Sequence, residues 1–103
     1  MKIVHWDLGR KGELSEESLE KSLQEQGYWV NRRVYPPGTV FPEHSNNVDT
    51  LDAVVSGKLR LSIHGESVVL GSGDAVAVPR GAMHRAEVVG DEPVVTLDAI
   101  RLS

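Results

Sequence analysis

From Lys58 to Gly65, "KLRLSIHG", apolar and polar residues alternate without a break. Leu59, Leu61 and Ile63 fall on one face, and Lys58, Arg60 and Ser62 on the other. A period of two belongs to a half-buried β-strand. His64-Gly65 then supplies a two-residue hairpin turn into "ESVVLGSG". Strand-like runs recur on both sides of this hairpin: "YWVNRRVY" before Pro36-Pro37-Gly38, "TLDAVVSG" up to Gly57, then "DAVAVP", "RAEVVG" and "VVTLDAIRL". Short strands punctuated by Gly and Pro predict an all-β sandwich or barrel.

The first residues read differently. Lys2 to Leu8 predict a short strand, and "LSEESLEKSLQEQG" predicts the chain's one helix. Ser15 is a suitable N-cap, Glu16 and Glu17 suit the positive end of the helix dipole, and Gly27 suits the stop. Leu19 and Leu23 lie one turn apart with Leu14 at the entry, a narrow apolar stripe that needs a larger surface to pack on. The organisation expected is one domain, with a strand and helix over residues 1–27 and a barrel over residues 28–102.

Composition narrows the chemistry. The chain has 103 residues, enough for one modest core. With 11 basic against 15 acidic residues, and basic residues scattered rather than striped, nucleic acid is not an expected partner. Cysteine is absent, so any metal must take nitrogen and oxygen ligands. The start "MKIVHWDLG" has no signal-peptide pattern and no apolar run is long enough to span a membrane; a cytoplasmic protein is expected.

Of the four histidines, His5 has no ligand-like neighbour and His64 sits in the hairpin turn. His44 and His84 stand on separate strands of one barrel, where they can converge. Pro79 and Gly81 in "GDAVAVPRGAMH" are turn residues that re-aim the chain, so that His84 opens a new strand pointing inward. Asp74 is read as a turn residue capping backbone amides.

The stretch Gly73, Pro79, Gly81 and His84 resembles the second motif of the cupin superfamily, with Val88 where that motif ends in asparagine. Gly38, His44 and Gly57 resemble the first motif, but Asn46 stands at its second histidine place and Thr50 at its glutamate place. The resemblance covers Tyr28 to Leu102. It implies a double-stranded β-helix or jelly-roll barrel, with one short N-terminal α-helix here. It also implies a lumen that in many members holds a divalent metal on three histidines and a glutamate.

With two of those places changed, His44 and His84 are the expected imidazole ligands for Zn, Fe, Mn, Ni or Cu. Thr50, Asp52 and Val54 share one strand face. If position 50 points inward, so does Asp52, and two histidines with one carboxylate result. Asp49 is the fallback ligand. In the opposite phase Leu51, Ala53 and Val55 are inside and Asp52 meets solvent. Asn46, Thr50 and Arg33 are expected pocket residues, and Tyr35 and Glu43 flank the first motif. The expected function is metal-assisted binding of a small molecule. The alternative is a metal-free ligand-binding or sensor module. With Asp52 inward, the apolar outer face of its strand wants cover from the helix or a second copy, and a homodimer is expected.

Overall fold

A computed structural model describes residues 1–101; Leu102, the last residue of the expected barrel, lies outside them. The strands are β1 (Ile3–Val4), β2 (Trp29–Tyr35), β3 (Val40–His44), β4 (Asp49–Ser56), β5 (Lys58–Ile63), β6 (Glu66–Leu70), β7 (Ala75–Val78), β8 (His84–Val89) and β9 (Val94–Arg101). They form two antiparallel sheets, ordered β1-β7-β4-β9-β2 and β3-β8-β5-β6. This is the expected jelly-roll arrangement.

Between the sheets lies one core. Val54, Leu59, Leu61, Ile63, Leu70, Val76, Val78, Val88 and Val94 are buried together. The alternation in β5 decides its facing: Leu59, Leu61 and Ile63 are inside, while Arg60 pairs across the strand boundary with Glu87 at 2.7 Å. The hairpin after β5 has φ of 52° at His64 and 80° at Gly65. Two positive φ values at the centre of a two-residue loop make the turn whose twist matches its strands.

The helix α2 (Glu16–Glu25) is capped at both ends. The Ser15 hydroxyl accepts from Ser18 N, and the Ser18 hydroxyl accepts from Ser15 N. Gly27 takes φ of 90°, with Gly27 N donating to Gln24 O and Tyr28 N to Leu23 O, so the last carbonyls are satisfied. Leu19 and Leu23 are buried on Ala53, Ala75, Leu97 and Ala99, with Leu51 and Val55 alongside. The apolar outer face of β4 is therefore covered within the chain.

Three features differ from the sequence expectation. The first strand shortens to Ile3–Val4 and pairs with β7, joining the sheet rather than standing apart from the barrel. A one-turn helix, α1 (Leu8–Lys11), follows because the Asp7 side chain caps it by accepting from Arg10 N. Third, β3 carries Pro42, a residue that hides a strand in sequence. It fits because β3 is an edge strand and its register shifts between Phe41 and His44, so no ladder donor is lost at Pro42.

Candidate functional site

His44 and His84 are partners across β3 and β8, and their ring centroids lie 4.2 Å apart. Each is placed by its own local device. Ahead of His84, Ala82 N donates to Pro79 O and Gly81 takes φ of 78°, a tight turn that delivers His84 to the first position of β8, 4% exposed. Asp49 fastens this turn by accepting from Arg80 N at 2.8 Å, and Gly81 N donates to Asn46 O. Ahead of His44 lies the shift in register around Pro42.

The two imidazoles share a second property. His44 Nδ1 lies 3.0 Å from Pro42 O, and His84 Nδ1 lies 2.9 Å from Ala82 O. A carbonyl only accepts, so each Nδ1 carries the proton and donates. In the neutral ring each Nε2 then keeps a free lone pair, the orientation that metal-binding histidines adopt.

These rings line a lumen of about 350 Å³. Its apolar wall is Phe41, Leu59, Leu61 and Ala86. Tyr35 meets Phe41 edge-on at 4.7 Å between centroids. Asn46, Thr50, Asp52 and Arg33 line it too, so each expected pocket residue is at the lumen and Asp52 faces inward with Thr50. Asp49 does not line it; its carboxylate is engaged with the turn before His84. Glu43 lies outside as well. His5 is bound to Asp74 at 2.6 Å, and Asp74 also accepts from Gly71 N, as a turn residue does.

Sequence reading missed Asp98. It lines the lumen from β9, directly across from Asp52 in register. Burial raises the pKa of Asp98, opposed by the Thr96 hydroxyl and the Arg33 guanidinium. Asp52 is pushed up to about 7, by burial first and then by the charge of Asp98, with His44 pulling the other way. Burial favours the protonated form of both carboxyls; Arg33 and Thr96 oppose it at Asp98, and the charge of Asp98 adds to it at Asp52. Tyr35 is also raised, by burial and then by Asp98. The Thr50 and Thr96 hydroxyls stand near the carboxyl two residues along and favour its charged form, but at no hydrogen-bonding geometry. Both oxygens are buried without a hydrogen-bond partner among the described residues.

The donor set fits a metal in part. Among the described residues the two Nε2 atoms have no hydrogen-bond partner and sit on neighbouring rings, but no group of three His, Cys, Asp or Glu stands close enough together to hold an ion. Asp52 must swing toward the rings to complete a set of three. No helix among the described residues is long and apolar enough to cross a membrane.

Known proteins place this architecture. A curated relative, gentisate 1,2-dioxygenase from Ralstonia sp, is 28% identical over 85 residues, which is 82% of this chain and 24% of that enzyme. The chain thus spans about a quarter of the length of the relative it matches. The DMSP lyase DddQ from Ruegeria pomeroyi superposes with a TM-score of 0.65 at 24% identity, over 72% of this chain and 38% of that one. The Cnp3 cupin domain from Schizosaccharomyces pombe superposes with a TM-score of 0.67 at 16% identity, over 74% and 53%. At these identities the superpositions speak for the fold. The family description "Cupin domain" matches residues 31–100, from the lumenal start of β2 to the lumenal end of β9, and the chain belongs to the cupin family.

Proposed function

We propose that the lumen binds a divalent transition metal through Nε2 of His44 and His84, with Asp52 as third ligand, and that the metal holds a small oxygen-bearing molecule. The observation that carries this reading is the pair of Nδ1–H donors tied to Pro42 O and Ala82 O, which leaves two lone pairs free at adjacent rings. A metal on this set would supply Lewis acidity with open coordination positions. The apolar wall excludes water from one side of the bound molecule, and Asn46 and Arg33 orient its polar atoms. The relatives' names include a dioxygenase and a lyase, two different reactions. The reading therefore stops at metal-assisted binding of a small molecule.

The test is the metal content of the purified protein by mass spectrometry, before any metal is added. His44→Ala and His84→Ala each lose most of the bound metal, while His5→Ala and His64→Ala keep it. Asp52→Asn weakens retention because a neutral amide attracts a cation less, and Asp49→Asn has little effect. Equal content in all four histidine variants removes the site. A metal-free binding module is the second reading, and Thr50 at the family's glutamate place favours it. Wild-type protein purified without metal, yet binding a ligand in the lumen, would establish that alternative.

A further inference from the structure

One part of the lumen wall is rich in acceptors. Nε2 of His44 and of His84 each present a lone pair, and Asp52 and Asp98 present carboxyl oxygens from facing positions on β4 and β9. Arg33 is the one Lys or Arg of the lining. Two carboxylates directly opposite each other on neighbouring strands repel, and either a proton on Asp52 or a cation between them relieves it. Behind them, Thr96 is 2% exposed, lines the same lumen, and its Oγ1 has no hydrogen-bond partner among the described residues. A buried hydroxyl without a partner costs stability until a bound group meets it.

We propose that Asp98, with Asp52 opposite and Thr96 beside it, is a recognition subsite for the ammonium group of a small organic amine whose apolar body rests on Phe41, Leu59 and Leu61. A primary ammonium has donors to spare and no acceptor, the complement of this wall. Its three N–H donors can be shared among the Asp98 carboxylate, the carboxyl oxygen of Asp52 and the Thr96 hydroxyl. The aromatic corner of Tyr35 and Phe41 adds favourable ring faces for a cation. A ligand carboxylate would instead face two carboxyl groups, with Arg33 alone to attract it. The inference rests on the lumen as the ligand site and names the chemistry of its ligand; it does not need the metal.

Three probes of one shape decide it: benzylamine, benzyl alcohol and benzoate, titrated into the whole chain and followed by amide NMR shifts. Wild-type protein binds benzylamine at least about tenfold more tightly than benzyl alcohol, and benzoate least. Asp98→Asn brings benzylamine and benzyl alcohol to within about twofold of each other, and metal content does not fall, because losing the Asp98 charge favours the ionised form of Asp52. Thr96→Val, which keeps shape and removes the hydroxyl, lowers benzylamine affinity about threefold or more and serves if Asp98→Asn does not fold. Equal binding of benzylamine and benzyl alcohol by the wild type overturns the proposal, as does a preference for benzoate. An undiminished amine preference in Asp98→Asn, or in Thr96→Val, overturns it too. The titration is repeated in His84→Ala, expected to hold no metal. Amine preference kept there separates ammonium recognition from an amine coordinated to a metal. Preference lost there, in a folded variant, overturns the subsite. Metal content read on each sample keeps failure of the metal reading distinct from failure of this one.

Discussion

Metal-free protein should lose stability as pH rises toward neutrality, and Asp52 is the reason. Its pKa is pushed up to about 7, from an ordinary value of 3.8 in the unfolded chain. Between those values the folded protein holds a proton that the unfolded chain has released. Folding stability then falls as pH rises, because the native state binds more protons. The contribution is fully present below the unfolded value and is lost as pH climbs to about 7. A shift of roughly three units at about 1.36 kcal/mol each sets an upper bound of about 4 kcal/mol, reduced by water entering the lumen. The perturbation is Asp52→Asn, which keeps shape and removes the titration. Urea unfolding of chelator-treated wild type and variant, from about pH 4 to pH 8, measures it. The wild-type curve falls relative to the variant across this range, and the variant becomes the more stable protein near pH 8. Parallel curves, with a constant gap between the two proteins, would refute the account of Asp52 as an acid held protonated by its burial and, secondarily, by the charge of Asp98.

Two further outcomes concern the scaffold. Leu51→Lys places a charge beside the α2 contact with Leu19 and Leu23, so the fold loses about 2–4 kcal/mol in a urea titration. Its sedimentation at micromolar concentration stays that of the wild type, and dissociation of a dimer with the fold intact would show that Leu51 serves an interface instead. Gly57→Ala would drive a Cβ into the Pro93 carbonyl oxygen at a φ of +79°, so it costs at least about 2 kcal/mol. A melting temperature within a degree of wild type would contradict that close approach.

Strand alternation and capping chemistry were legible because both are local. Leu59, Leu61 and Ile63 could face only one way, and Ser15 with Gly27 bounded a helix whose stripe was Leu19 and Leu23. His84 was legible because Pro79 and Gly81 dictate the turn ahead of it. The face of β4 was not. Thr50, Asp52 and Val54 alternate with Leu51, Ala53 and Val55, and either set makes sense inside. Tertiary structure decided it by laying α2 over the apolar set, which turned Asp52 into the lumen. The same burial on both faces concealed Asp98. In "VVTLDAIRL" Thr96 and Asp98 alternate with Leu97 and Ala99, as in a strand with one face in water. In the fold Leu97 and Ala99 lie under the helix, and Thr96 and Asp98 face the cavity. Asp49 and Asp52, three residues apart in β4, fall on opposite faces of the strand, and the Asp49 carboxylate is engaged with Arg80 N. Sequence determined which residues could serve as ligands. The register of β4 on β9 and of β3 on β8, between residues 40 to 46 positions apart, decided which of them meet.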